Sequence, residues 1–277
     1  MPELPEVETV ARGLAAVWDG CLLTRVECRR TQLRQPLPVD FVDRLQGRRV
    51  LAVGRRAKYL LVRLDGNLTL LGHLGMSGSM VIERGRNEPP GKHDHVTFWT
   101  DQGVSVTYRD PRRFGLLDLC PSDQEQQHPL LRHLGPEPLE SDFTPDRLAA
   151  GLAGKRSPVK TVLLDQTVLV GLGNIYVSES LFQSGLLPTR PAASLSMAEI
   201  HALFDAIQDV LRRAIAAGGS TLKDHVQPNG ELGYFQHNFA VYGRAGQSCP
   251  GCDCGDGAIV RLVQAGRSTF YCPKRQR

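Results

Sequence analysis

The stretch that decides the fold runs KYLLVRL (residues 58–64), DGN (65–67) and LTLLGHLG (68–75). Two short runs of leucine, valine and threonine flank a glycine-bearing turn, the pattern of a β-hairpin. The same pattern extends in both directions. CLLTRVECRR (21–30), RRVLAVGRR (48–56), HVTFWT (95–100), VSVTYR (104–109) and GLLDLC (115–120) are further β-rich runs, and Asp101-Gln102-Gly103 is a second hairpin turn. No helical run intervenes between Cys21 and Cys120. Strands at this spacing predict an antiparallel sandwich.

The flanks are helical. Val7, Val10, Leu14 and Val17 recur at helical spacing and Gly20 is a stop signal. Residues 121–143 are rich in proline, acid and glutamine and predict a linker. Beyond them, Thr144-Pro145 and Ser157-Pro158 read as N-caps followed by first-turn prolines. Ser196-Met197-Ala198-Glu199 is a capping box. It opens a helix with Ile200, Leu203, Ile207, Leu211 and Ile215 on one face, ended by Gly218-Gly219. The chain is therefore expected to be α+β: an N-terminal antiparallel β-sandwich with a flanking helix, then a helical C-terminal part with a cysteine-bearing tail. We expect boundaries at 1–134, 135–240 and 241–277.

At 277 residues with 41% hydrophobic content, a packed core is the default and disorder is not. No apolar run approaches the ~20 residues of a membrane span. The acidic, proline-rich start is unlike a signal peptide, so a reducing, cytoplasmic setting is expected. Net charge is +4, and basic pairs recur at Arg29-Arg30, Arg55-Arg56, Arg112-Arg113, Lys155-Arg156 and Lys274-Arg275, compatible with a polyanionic partner. Seven cysteines is an odd count that argues against a complete disulfide framework. Cys21, Cys28 and Cys120 sit among apolar residues and read as buried thiols.

Several stretches can carry chemistry. Removal of Met1 would leave Pro2 as a secondary amine with a pKa near ~8, nucleophilic at neutral pH. Glu3 beside it is a potential proton shuttle. Lys58, at the head of an apolar strand, can exchange protons if its site is closed. Met76, in HLGMSG (73–78), is an unbranched apolar side chain on a turn, suited to wedging between bases. DPRRFG (110–115) combines Arg112, Arg113 and Phe114 on a short loop, a pattern suited to phosphates, base edges and stacking. His93 and His95 lie in a preceding loop. GLGN (171–174) joins two helical runs, with Asn174 as a helix cap and free N–H groups able to hold a phosphate. The tail carries Cys249, Cys252, Cys254 and Cys272, with Ile259–Val263 and Ser268–Tyr271 as a hairpin, the outline of a structural zinc ribbon. Its second knuckle is incomplete, because Arg275 stands where a second cysteine is expected. Either all four cysteines bind one zinc ion, or Cys249 and Cys254 form one knuckle with Cys252 spare.

Together PELPEVET (2–9), RRAKYLL (55–61), HLGMSGS (73–79), KHDHV (92–96), DPRRFG (110–115), VGLGNIY (170–176), SESLF (178–182), VYGR (241–244) and GRSTFYCP (266–273) resemble the bacterial formamidopyrimidine-DNA glycosylase family over nearly the whole chain. PELPEVE favours this branch over the endonuclease VIII-like one. The resemblance implies a helix–two-turns–helix domain with a zinc-ribbon-like hairpin, and a monomer that acts on damaged double-stranded DNA. It implies excision of 8-oxoguanine and formamidopyrimidines followed by strand cleavage through β,δ-elimination, with no organic cofactor and one structural zinc ion. By the same resemblance Pro2 is the nucleophile and Glu3 the general acid and base. Lys58 is a second proton donor, and Arg267 grips the phosphates flanking the lesion. His73, His93, Arg112, Arg113, Lys155, Asn174 and Tyr242 contact DNA; Met76, Arg112 and Phe114 fill the gap left by the everted base. The loop from Ser220 to Tyr234 covers that base.

Overall fold

A computed structural model describes residues 2–85, 89–220, 233–253 and 259–277. The chain divides into two compact units, residues 1–132 with 217–234, and residues 133–216 with 235–277.

The first unit begins with α1 (Leu4–Trp18), whose Leu4, Val7, Val10, Leu14 and Trp18 are buried. Gly20, at φ +81°, turns the chain after it. Two four-stranded antiparallel sheets follow. One has the order β1 (Leu23–Cys28), β6 (Asp94–Thr100), β7 (Val104–Arg109), β5 (Ser79–Arg84). The other has β2 (Val50–Arg56), β3 (Tyr59–Leu64), β4 (Leu68–His73), β8 (Leu116–Pro121). A short α2 (Phe41–Leu45) lies between β1 and β2 in the chain. The expected sandwich is present. Its core joins Trp18 and Phe98, edge to face at 5.4 Å, to Leu60, Val62, Leu70, Val106 and Tyr108. The β3–β4 pair also buries Leu61 against Leu71, directly opposite in register, on its other face. Both faces being covered is what an unbroken apolar run such as YLLV requires.

Five local expectations change. Helix α2 lies within the stretch 21–120, where no helical run was expected. Strand β5 was not expected, since SMVIER is short and ends in two charged residues; it is recruited by pairing with β7 from Ser79–Arg109 to Arg84–Val104. Lys58 does not head a strand. It occupies the two-residue turn between β2 and β3, behind Ala57 at φ +53°. His95 belongs to β6, not to a loop, and is buried. The expected linker starts inside the first unit: Ser122–Gln127 form a 3-10 helix. Its Glu125 accepts two hydrogen bonds from Arg63 (2.8 and 2.7 Å) and one from Thr69 (2.7 Å).

The second unit contains α3 (Pro145–Leu152), α4 (Val159–Leu163), α5 (Asn174–Gln183), α6 (Met197–Ala216) and the hairpin β9 (Val260–Gln264)–β10 (Arg267–Tyr271). Thr144 caps α3 by accepting from Arg147 N at 3.2 Å. The second proline signal is offset by one: Pro158 itself is the N-cap of α4. The capping box of α6 is formed, with Ser196 N donating to Glu199 Oε2 at 2.8 Å. Arg190 pairs with the same carboxylate. That bond, with Ser196, holds Glu199 down to about 2. Of the expected α6 face, Ile200, Leu203, Ile207 and Leu211 are buried and Ile215 is half-buried. Among the described residues, no helix is long and apolar enough to cross a membrane.

Candidate active site and nucleic-acid interface

Pro2 is buried immediately before α1. Glu3, 3% exposed, is the N-cap of that helix. Its N–H donates to Glu6 Oε2 at 2.8 Å, the reciprocal half of a capping box. Glu6 is 2% exposed, and its other oxygen accepts from Ser220 N (2.8 Å) and Ser220 Oγ (2.9 Å). One buried carboxylate thus ties the start of α1 to the stem from which the segment 221–232 departs. The covering-loop expectation itself falls on residues 221–232, outside the described residues. Its two stems, Ser220 and Tyr234, form an antiparallel bridge.

Lys58, 7% exposed, belongs to the same unit. The hairpin turn that carries it is fastened to α1 by Arg55, whose Nε donates to Glu8 Oε2 (3.0 Å) and whose NH1 donates to Ala57 O (2.8 Å). Burial alone would raise the Glu8 carboxyl. The hydrogen bonds from Arg12 and Arg55 outweigh it and hold the group below its usual range. Pro2, Glu3 and Lys58 are therefore carried by a helix start and a hairpin turn joined by an ion pair.

His73, at the end of β4, lies opposite Tyr59 in register, their rings 4.9 Å apart. Burial, with the positive charges of Lys58 and Arg34, lowers its pKa to about 4. Its Nδ1 accepts the Gly75 N–H at 3.0 Å. The ring is thus neutral at pH 7 and leaves Nε2–H as its donor. Met76 follows at 42% exposure, and Phe114 is 45% exposed. The Arg112 guanidinium lies over the Phe114 ring at 4.7 Å, and Arg113 is exposed in the left-handed region, φ +58°. His93 is half-buried and its carbonyl accepts Asp110 N at 3.1 Å. His95 Nε2 bonds to Asp110 O at 2.8 Å and is a prop for this loop.

In the second unit, Arg267 is exposed at the first position of β10, directly after the Ala265-Gly266 turn, and pairs with Gln264. Asn174 does not cap α5. Gly173 is the N-cap, and Asn174 Nδ2 donates instead to Ser268 O at 2.9 Å. A strong acceptor presented by the hairpin outcompetes the local cap. Lys160, 1% exposed, donates to the same carbonyl at 2.9 Å and to Thr269 Oγ1 at 2.7 Å. The residue after Arg267 is thus held by two side chains. Lys155 is exposed past the end of α3. Tyr242 stacks edge to face with Phe239 (5.6 Å) and Phe270 (5.2 Å). Its N–H donates to Glu179 Oε1 at 2.8 Å.

The sulfur atoms of Cys249, Cys252 and Cys272 lie within 4.8 Å of one another, a cluster able to hold a metal ion. Three soft donors at this spacing fit three corners of a tetrahedral thiolate site. Cys249 and Cys272 are free thiols. Cys254 lies outside the described residues. Arg275 supplies no ligand. Its NH1 donates to Gly251 O at 2.8 Å, its Nε to Phe182 O at 3.4 Å, and its guanidinium covers the Phe182 ring at 4.9 Å.

Three buried polar residues escaped the sequence reading as functional candidates. Glu6 had a signal, since Glu3-x-x-Glu6 has the spacing of a reciprocal cap. Asp110 lay inside a singled-out loop but without a role. Lys160 had no signal, because its partners are more than a hundred residues away in the chain.

The first unit is a β-sandwich with Pro2 and Glu3 buried at its helix start, the second a helical unit with a cysteine hairpin, and both have counterparts among known proteins. Residues 1–117 match the formamidopyrimidine-DNA glycosylase N-terminal domain and residues 134–226 the formamidopyrimidine-DNA glycosylase H2TH domain. The formamidopyrimidine-DNA glycosylase of Rhodospirillum centenum is 56% identical with both chains fully covered, and that of Paracoccus denitrificans 53% with 99% of each covered. The MutM (Fpg) structure from Thermus thermophilus superposes with a TM-score of 0.87 at 40% identity, covering 99% of this chain and 98% of that one. The Lactococcus lactis Fpg complex with abasic-site DNA gives 0.90 at 33% identity, with 99% of each chain covered. The chain belongs to the formamidopyrimidine-DNA glycosylase family. It is a base-excision-repair DNA glycosylase acting on oxidised purines.

Proposed function

We propose that this chain excises 8-oxoguanine and formamidopyrimidines through an iminium formed at Pro2 and then cleaves the strand by β,δ-elimination. The observation that supports this most is the enclosure of Pro2, Glu3 and Lys58 within one unit, on a helix start and a hairpin turn tied together by Glu8 and Arg55. The Pro2 nitrogen adds to C1′ of the damaged nucleotide as the bond from C1′ to the base breaks, and the proton lost from the Pro2 nitrogen leaves with the base. Glu3 delivers a proton to the sugar ring oxygen, the C1′–O4′ bond breaks and the nitrogen lone pair forms the iminium; the resulting carboxylate then receives the proton removed in the elimination. The iminium acts as electron sink while the 3′ and then the 5′ C–O bonds break. Lys58 serves as a second proton donor. A base stacked in a duplex is out of reach, so it is everted and replaced by Met76, Arg112 and Phe114.

Arg267, Lys155, Asn174 and Tyr242 of the second unit, with His73, His93 and Arg113 of the first, engage the DNA backbone. His73 does so as a neutral donor. Residues 1–134, 135–240 and 241–277 are the working parts, and the protein acts as a cytoplasmic monomer. Zinc is the metal we assign to the cysteine cluster, held by Cys249, Cys252 and Cys272, with Cys254 as the fourth thiol. It would fasten the hairpin and take no part in the chemistry.

Borohydride trapping on an 8-oxoguanine·cytosine duplex tests this reading: a covalent adduct is expected from protein lacking Met1. Active protein that yields no adduct overturns the Pro2 mechanism. Faster excision of thymine glycol than of 8-oxoguanine would instead place the chain functionally with the endonuclease VIII type.

A further inference from the structure

Asp110 is fully buried, with 0% exposure. A carboxylate so enclosed is stable only if its oxygens are saturated with donors. Here they are, and the donors come from two loops and from strand β7. Oδ1 accepts from Ser77 Oγ at 2.6 Å and from Arg112 N at 3.2 Å. Oδ2 accepts from Gly115 N at 2.9 Å and Tyr108 OH at 3.2 Å. The Tyr108 phenol is pushed far above its usual pKa by burial and by this carboxylate, so it stays a donor. Arg112 N also reaches Ser77 Oγ, at 3.2 Å, closing a triangle between the loops.

The backbone of the two loops is equally close. A Cβ on Gly75 would lie 2.5 Å from Gly115 N and from Phe114 C, and one on Gly115 would lie 2.0 Å from Tyr108 Oη. Gly75 also requires φ +63°. Met76 thus stands between two residues, Gly75 and Ser77, that are both locked to the 110–115 loop. Arg112 and Phe114 stand between Asp110 and Gly115, both ends of which are locked to the same carboxylate.

We infer that Asp110 is a positioning residue for base eversion: through Ser77 it joins the Met76 turn and the Arg112–Phe114 loop into one rigid wedge. Neither loop can shift without breaking a charge-assisted hydrogen bond inside a dry site. Rigidity matters because the wedge enters the base stack at a cost of several kcal/mol, and side chains that yield independently would transmit less of that force. This inference rests on the proposed wedge role of Met76, Arg112 and Phe114.

The consequence is selective. Base eversion is needed for a lesion paired in a duplex and is already achieved at a preformed abasic site. In Asp110→Asn the shape is kept, but an amide now confronts backbone donors. Single-turnover excision of 8-oxoguanine should fall about 100-fold, while strand cleavage at a preformed abasic site should change less than about 3-fold. Ser77→Ala, which leaves the carboxylate in place, should show the same selectivity at about 10-fold. The eversion phase, followed by 2-aminopurine fluorescence next to the lesion, should slow in both variants. Met76→Ala separates the two ideas. If it spares both substrates, the wedge reading fails. If it is selective for the paired lesion while Asp110→Asn and Ser77→Ala lower both activities in parallel, or neither, the coupling through Asp110 is wrong.

Discussion

At the foot of α1, Glu6 gathers the Glu3 N–H and both donors of Ser220 onto one buried carboxylate. In the cysteine hairpin, Arg275, at the sequence position where a further cysteine was expected, is bonded to Gly251 O and Phe182 O and laid over the Phe182 ring. The first corner is fastened by donors from its own fold and needs nothing from outside. The second combines three clustered sulfurs, able to hold an ion, with a guanidinium that reaches across the knuckle by itself. The first corner, proposed as catalytic, must tolerate no slack, because proton transfer requires hydrogen-bond contact. A hairpin proposed to present Arg267 to phosphates has to be held, but it can be held in more than one way. The C-terminal residues show this. Gln276 accepts from Cys272 N and donates to Leu186 O, both at 2.8 Å, and Arg277 N donates to Gly185 O at 2.9 Å.

The largest expected effect lies in the first corner. Glu3→Gln should lower single-turnover base excision by about 1,000-fold while leaving affinity for lesion DNA nearly unchanged in a gel-shift assay. Protein shown by mass spectrometry to retain Met1 uniformly should be inactive, since its Pro2 nitrogen is an amide. Excision by such material would remove the N-terminal corner from the chemistry altogether.

Next comes the pH response of His73. Its folded pKa of about 4 is below that of the unfolded chain, so the unfolded state takes up the proton first as pH falls. The stability associated with the neutral ring is complete above pH ~6.5 and is lost down to pH ~4, amounting to roughly 3 kcal/mol. Urea unfolding at pH 7 and pH 5 should show a steeper loss for wild type than for His73→Asn; equal slopes would mean that the ring is solvated.

Glu6→Gln should cost about 2 kcal/mol in urea unfolding, because an amide NH₂ would face a buried N–H donor. A neutral result would show that the corner can reorganise, and would bring it closer in kind to the hairpin.

Smallest is the hairpin itself. Wild-type protein treated with a chelator should keep DNA affinity within about 3-fold, whereas Arg275→Ala treated in the same way should lose about 10-fold. Hydrogen exchange of residues 259–277, measured alongside metal content, would show whether the hairpin opens. If the chelated wild type opens as readily as the variant, the metal rather than Arg275 is the fastening.

The sandwich was legible in the chain because strand runs and turn residues are local: DGN at 65–67 announces the β3–β4 hairpin whatever surrounds it. Strand β5 was not, since SMVIER becomes a strand only by pairing with β7. The cap of α6 was legible because Ser196 and Glu199 are three residues apart. Asn174 misled, because the acceptor that claims its side chain, Ser268 O, is ninety-four residues away.

By itself, then, the sequence determined most of the element types, the family, and the candidate set of Pro2, Glu3, Lys58, Arg267 and the wedge residues, all of which sit in short contiguous motifs. Only the tertiary structure decided which charges are buried and what holds them: Glu6 on Ser220, Asp110 between two loops, Lys160 and Asn174 on one carbonyl, and Arg275 bridging the knuckle. Burial and hydrogen-bond partnership depend on groups distant in the chain converging, and no local pattern of residues encodes that convergence.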